Sequence, residues 1–160
     1  MRRLAALALL LAPLAGCRTA APAPGAPGPA GVAAQQARWT SARVASYTFT
    51  YERQCFCTAE TSGPFVVTVE NGRVTSVRRL AGGLTPEGQP LPGAEDTRAT
   101  NRLRVEDFFA LVRGAYDEGA ATVRVTYDDR LSYPTSIWID RDTRLADEEI
   151  GYRITALRRL

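Results

Sequence analysis

The chain has 160 residues, of which 20 are basic and 17 acidic, and it contains no histidine. Every basic residue is arginine, and the single methionine is Met1. This composition excludes Ser-His-Asp and Cys-His catalysis, histidine-ligated zinc, Schiff-base chemistry and a P-loop lysine. Since no Gly-x-Ser-x-Gly elbow or glycine-rich phosphate loop occurs, we predict a protein that is not an enzyme and that uses no cofactor.

The first seventeen residues have the order of a bacterial lipoprotein leader. Residues Met1 to Arg3 are basic, Leu4 to Leu11 is apolar, and Leu14-Ala15-Gly16 places small residues before Cys17. Such an order is typical of a secretory signal, and the apolar run is too short to span a bilayer. Leu14-Ala15-Gly16-Cys17 resembles the lipobox, which implies cleavage before Cys17 and lipidation of its side chain. We therefore predict a signal peptide over residues 1–16 and a membrane contact through an N-terminal lipid anchor.

Removal of the leader changes the meaning of the formal net charge of +3. Arg2 and Arg3 leave with the leader, so the mature chain is close to neutral, and we predict no nucleic-acid partner. Arg18 follows the anchor in place of the aspartate that typically retains such lipoproteins at the inner membrane. We therefore expect the protein to lie in the bacterial cell envelope, anchored to the periplasmic face of the outer membrane. In a single-membrane bacterium the same anchor would hold the protein on the outer face of the plasma membrane.

A tether and one domain follow the leader. Residues 17–31 hold the anchor cysteine and a stretch of alanine, proline and glycine that cannot bury a core. At about 3 Å per residue, such a segment extends on the order of 40 Å. Residues 32–160 are enough for one domain with a single core, and we predict one α+β globular domain there.

The first half of that domain predicts one helix and three strands. The helix is expected over Ala33 to Ala45. A strand follows, because Tyr47, Phe49 and Tyr51 alternate with polar residues. Phe65 to Val77 predicts a hairpin, since Asn71-Gly72 supplies the positive φ angles of a type I′ turn. A polar loop rich in glycine and proline is expected from Gly82 to Thr97.

The second half repeats this order. Val105 to Tyr116 has helical apolar spacing and Gly119 is the expected C-terminal cap, although Arg104 is a poor N-cap. Three strands are expected around Val123–Tyr127, Ile137–Ile139 and Ile150–Ile154, with Trp138 on the other face of its strand. We predict an antiparallel sheet of about six strands with two helices packed on one face. One interpretation of this order is that the domain consists of two α-β-β-β halves that arose by an old duplication.

Cys55-Phe56-Cys57 is the one motif that offers chemistry. Residues two apart in a strand have Cα atoms nearly 7 Å apart, at the limit for a disulfide, so bridging requires a kink at Phe56. Four interpretations remain open for Cys55 and Cys57: a structural disulfide, two reduced thiols facing the core, a thiol-disulfide exchange site, and soft-metal binding. Metal binding is the weakest of these, because two sulfurs fill half of a zinc site.

Acidic residues concentrate between the last two strands, and a calcium-binding site is one hypothesis that their density suggests. Their spacing does not match an EF-hand loop, and no glycine provides its sharp turn, so a solvated loop and no metal site is the expectation. The residues concerned are Asp140, Asp142, Asp147, Glu148 and Glu149.

Several segments together resemble a family of small uncharacterised bacterial lipoprotein domains, domain of unknown function 6174. They are Ala45–Phe49 leading to Cys55–Cys57, the Phe65–Val77 hairpin, and the segments Tyr133–Ile137 and Ala146–Tyr152. The resemblance covers most of the chain from Trp39 to Ala156. It implies a secreted, membrane-anchored domain in which the Cys-x-Cys pair is a family feature, and it implies no catalytic residue, substrate or cofactor.

These observations favour an envelope lipoprotein that acts as a non-enzymatic binding or structural module for an unidentified envelope partner. The alternative is a thiol-redox or soft-metal-binding protein that acts through Cys55 and Cys57.

Overall fold

A computed structural model describes residues 28–80 and 93–160. The predicted leader, Cys17, most of the tether and most of the loop from Gly82 therefore lie outside the described residues. The helices are α1 Pro29–Ser41, α2 Ala59–Ser62 and α3 Val105–Asp117, with a 3-10 turn at Ala99–Asn101. The strands are β1 Tyr47–Gln54, β2 Phe65–Glu70, β3 Arg73–Arg79, β4 Ala94–Glu95, β5 Thr122–Tyr127, β6 Pro134–Asp140 and β7 Ile150–Arg159.

The strands form one antiparallel sheet in the order β4-β3-β2-β1-β7-β6-β5. The α+β prediction is confirmed, with seven strands in the described residues rather than about six. The additional strand β4 has two residues, which is too short for a period of two to reveal it in the sequence. The two predicted halves meet in the middle of the sheet, where Tyr51 of β1 faces Ile154 of β7. Apart from β4, each half contributes three neighbouring strands in the same spatial order.

The hydrophobic core lies on one face of this sheet, beneath α1 and α3. Phe108 of α3 packs against Phe49, Tyr51 and Tyr152 with ring centroids 6.2, 5.5 and 5.3 Å away. These three rings come from β1 and β7, the two central strands, and Phe108 itself is fully buried. The alternation predicted for β1 therefore places its aromatic side chains under the helix.

Glu106, in the first turn of α3, links both helices to β1. Its Oε1 accepts a hydrogen bond of 2.8 Å from Trp39 Nε1 of α1, and its Oε2 accepts one of 3.3 Å from the Tyr47 hydroxyl. The same hydroxyl accepts a bond of 3.1 Å from the backbone N–H of Val105. Burial raises the pKa of Tyr47 well above its ordinary value, so this hydroxyl stays protonated and remains a donor.

The turn and cap residues behave as the sequence predicts. Asn71 and Gly72 have φ angles of 50° and 74°, as a type I′ turn requires. Gly119 follows α3 with a φ of 74°. At the start of α3, Asp107 compensates for the poor cap, because its Oδ2 accepts a bond of 2.8 Å from the backbone N–H of Arg104.

The first helix begins earlier than the sequence suggests. It runs from Pro29 to Ser41, so residues 29–31 of the predicted tether are helical, and Gly31 is already buried. Proline is favoured in the first turn of a helix, because its missing N–H has no partner there in any case. No helix among the described residues combines the length and the apolar character that a membrane crossing needs.

The opposite face of the sheet is more polar. Trp138 lies on this face, as predicted, over Gly151 of the neighbouring strand. A Cβ at Gly151 would lie 3.0 Å from Trp138 Cε3 and 2.9 Å from Gln54 Oε1, so a larger residue there would force these two side chains to shift. The Arg124 guanidinium lies 5.9 Å from the indole centroid on the adjacent strand.

Candidate functional site

The Cys-Phe-Cys motif forms a closed turn at the end of β1. Cys55 and Cys57 are joined by a disulfide with an Sγ–Sγ distance of 2.01 Å and a Cα–Cα distance of 5.3 Å. The strand ends at Gln54, and the chain then turns so that Cys57 N donates a hydrogen bond of 2.9 Å to Cys55 O. This turn centred on Phe56 brings the two Cα atoms closer than the nearly 7 Å of an extended strand.

The turn exposes its side chains to solvent. Cys55 is half-buried and Cys57 is exposed, while Phe56 is 87% exposed, more than Leu145 or Leu160. The interpretation as reduced thiols facing the core is therefore wrong. It assumed that the strand continues to residue 57, whereas the alternation of faces stops where β1 ends. The sequence predicts Phe56 only as the position of a kink, and its place between two cysteines is the signal available for this exposed aromatic side chain.

Arg53 connects the turn to the elements beneath it. Its Nη1 donates a bond of 2.6 Å to Thr61 O, and its Nη2 donates one of 3.2 Å to Thr100 O. The guanidinium also lies 5.5 Å from the centroid of the Tyr152 ring. One side chain therefore joins the last residues of β1 to α2, to the 3-10 turn and to β7.

A buried polar group supports α2 from below. Asn101 is fully buried, and its Nδ2 lies 3.3 Å from Glu60 O and 3.2 Å from Asp96 Oδ2. Its backbone oxygen accepts a bond of 2.9 Å from the Tyr51 hydroxyl. Burial by itself would raise the pKa of Asp96, but hydrogen bonds from Arg98 and Asn101 outweigh burial and hold that pKa below its usual range. The turn therefore has an ordered base and an exposed tip.

Two of the acidic side chains after β6 are used within their own loop. Glu148 Oε1 accepts bonds of 2.8 and 2.6 Å from the backbone N–H groups of Arg141 and Asp142. Asp142 forms an ion pair of 2.7 Å with Arg144. Within the described ranges, no three cysteine, aspartate or glutamate side chains converge as a metal site would require. These bonds give Asp142 and Glu148 a structural role in the loop, whereas Asp140 Oδ1 is buried with no hydrogen-bond partner among the described residues.

Comparison with known proteins gives one match. No curated protein and no solved structure matches the chain. The family described as "Family of unknown function (DUF6174)" matches residues 31–159, which is well over half of the chain and includes every strand of the sheet. The protein therefore belongs to the DUF6174 family.

Proposed function

We propose that this protein is a lipid-anchored domain of the bacterial cell envelope that binds a protein partner through the Cys55–Cys57 turn and carries out no catalysis. The anchor is supported by the leader pattern that ends at Cys17 and by the tether that follows it. In the envelope, disulfides form and persist, so a bridged Cys55–Cys57 pair suits this location.

The observation that carries the binding role is the exposure of Phe56 in a disulfide-closed turn. A loop of three residues is so short that closing it stabilises the fold by only about 1.6 kcal/mol, against about 3 kcal/mol for fifteen residues. The bond therefore contributes more to the shape of the turn than to stability. Aromatic side chains held in one conformation are effective binding anchors, because little conformational entropy is lost when they are buried.

The anchor is tested by mass spectrometry of the mature protein. The expected product begins at Cys17 and carries acyl chains, whereas a Cys17→Ser variant should keep its leader and gain no lipid. A mature product that retains residues 1–16, or that begins elsewhere without lipid, contradicts the anchor.

The binding role is tested with a photoreactive phenylalanine analogue at position 56 of the full chain in its native bacterium. A discrete adduct of one size is expected on illumination. Leu145 is a matched control, because it is also an exposed apolar side chain, at 59% exposure. The adduct should be absent with the analogue at position 145, and absent when Cys55 and Cys57 are both serine. The same adduct at positions 56 and 145 would refute a specific contact. An adduct of twice the chain mass would show that the partner is a second copy of this chain and not a different protein.

A second candidate function is thiol-disulfide exchange, which is favoured by the solvent access of Cys57. A thiolate of a partner dithiol attacks one sulfur of the Cys55–Cys57 bond, forms a mixed disulfide and releases the other cysteine as a thiolate. The partner's second thiolate then displaces the first cysteine. The partner becomes a disulfide, and the Cys55–Cys57 pair takes up two electrons and two protons. The reduced pair would also offer two thiolates to a soft metal.

Equilibration with glutathione buffers separates these two functions. A reduction potential between about −120 and −270 mV, the range of exchange proteins, supports exchange. A potential below about −300 mV is typical of a structural bond and supports the role of the disulfide as a restraint on Phe56.

A further inference from the structure

A small polar pocket lies at the other end of the sheet from the Cys55–Cys57 turn. It opens between α1 and the turn that joins β5 to β6, where β1 begins rather than ends, and its volume is about 280 Å³. Its walls are mostly polar, and the side chains that matter here are Gln35, Arg38, Tyr127, Asp128, Asp129 and Ser132.

Two side chains of this pocket make no hydrogen bond to the described protein. Gln35 and Ser132 are each 5% exposed. Within residues 28–80 and 93–160, neither the Gln35 amide nor the Ser132 hydroxyl has a hydrogen-bond partner in the protein. Their polar atoms open to the pocket, whereas the hydroxyl of Tyr127, which also lines the pocket, is buried with no hydrogen-bond partner among the described residues. A buried polar group without a partner costs about 1–3 kcal/mol. One buried unpaired hydroxyl and two polar side chains that open to the same pocket therefore point to a polar ligand.

The backbone holds Ser132 in place without using its side chain. Ser132 N donates a bond of 2.9 Å to Asp128 O, and Asp128 N donates one of 2.9 Å to Tyr133 O. Ser132 has a φ of 62°, which is uncommon for a residue other than glycine. The turn thus fixes the position of the hydroxyl, while the hydroxyl itself adds no bond to the turn.

Charges of opposite sign line the two walls. Arg38 projects from α1, and Asp129 projects from the turn, and both are exposed. No ion pair within 4.0 Å joins them to each other or to another described residue. Asp128 uses Oδ1 to accept bonds from the backbone N–H groups of Arg130 and Leu131. Among the described residues, the Arg38 guanidinium and the Asp129 carboxylate therefore line the pocket without an ion-pair partner.

We propose that this pocket binds a small zwitterion, namely a free amino acid or a short peptide with unblocked ends. The Arg38 guanidinium binds the carboxylate of the ligand, Asp129 binds its ammonium group, and Gln35 and Ser132 supply hydrogen bonds between these ends. The size supports a small ligand, because pockets for drug-sized molecules span about 300–1,000 Å³. This site is separate from the Phe56 turn and goes beyond the proposed function.

The test is a titration of the full chain with diglycine, followed by ¹⁵N NMR and calorimetry. Diglycine should shift the side-chain amide resonances of Gln35 and the backbone resonance of Ser132, with a dissociation constant of about 1 mM or tighter, equivalent to about −4 kcal/mol. N-acetylglycine lacks the ammonium group and glycinamide lacks the carboxylate, and each should bind at least about tenfold more weakly. Equal binding of the three probes, or no shift with diglycine up to tens of millimolar, overturns the proposal.

Two variants separate binding from folding. Gln35→Leu should abolish the diglycine-induced shift of the Ser132 backbone resonance without lowering the melting temperature, because the Gln35 amide makes no bond to the described residues. Arg38→Gln should weaken diglycine binding about tenfold, whereas Arg158→Gln, an exposed arginine of β7, should leave it unchanged. If Gln35→Leu lowers the melting temperature and Arg38→Gln binds like the parent chain, the two side chains are structural and the proposal fails.

Discussion

The two ends of the sheet use their buried polar side chains in opposite ways. Where β1 ends, Asp96 and Asn101 are buried and bonded to each other, although Asn101 Oδ1 has no partner among the described residues. Where β1 begins, the side chains of Gln35 and Ser132 have no partner in the described part of the chain, and their polar atoms open to the pocket. Groups bonded within the protein belong to the framework of the fold, whereas unbonded groups that open to a pocket remain available to a ligand.

This difference assigns a separate role to each end. At the disulfide end the polar network is internal, and the group left for a partner is the apolar ring of Phe56. At the pocket end the polar groups themselves are left for a partner. A substitution should therefore destabilise the protein at the first end and change ligand binding at the second.

The largest effect is expected from Asn101→Ala. The substitution removes the bonds to Glu60 O and Asp96 and leaves a cavity at a fully buried position, so the free energy of unfolding should fall by about 2–4 kcal/mol. Urea denaturation measures it. Thr100→Ala is the control, because Thr100 is exposed and offers Arg53 only its backbone oxygen. Equal stability of the two variants would show that Asn101 is not part of the framework.

The next effect concerns the dependence of stability on pH. The folded-state pKa of Asp96 is lowered, so its contribution to stability is complete above its unfolded pKa of about 3.9 and is lost as the pH falls through the folded value. The free energy of unfolding should therefore decrease as the pH drops below about 4. Asp96→Asn should flatten this part of the profile, and Asp117→Asn, an exposed carboxylate, should not. A profile that keeps its slope in Asp96→Asn would assign the acid sensitivity to other carboxylates.

A smaller loss is expected when the disulfide is removed. Replacement of Cys55 and Cys57 by serine should lower the free energy of unfolding by about 1.6 kcal/mol, the contribution of a three-residue loop. Chemical reduction of the parent chain should give the same change. A loss of cooperative unfolding would instead make the bond essential to the fold, and the interpretation of the turn as a restraint on Phe56 would not stand.

Most of the fold can be predicted from the sequence, because strands, hairpins and helix ends have recognisable local sequence patterns. The Asn71-Gly72 turn and the cap at Gly119 each depend on a few neighbouring residues. The orientation of Cys55 and Cys57 was not predictable in this way, since the alternation of β1 does not reveal where the strand ends. The pocket left no pattern either, because Gln35 and Ser132 come from distant parts of the chain and meet only after folding.

The smallest effect, and one of opposite sign, is expected from Gln35→Leu. Leucine has a similar volume, and the Gln35 amide has no partner to lose among the described residues, so the free energy of unfolding should stay unchanged or rise by up to about 1 kcal/mol. The control is the Asn101→Ala variant measured under the same urea conditions, since it removes a buried amide that is hydrogen-bonded within the protein. A loss comparable to that of Asn101→Ala would mean that both ends of the sheet use their amides as framework. A neutral or stabilising result would show that the fold does not require the amide at position 35, as a residue retained for ligand binding would behave.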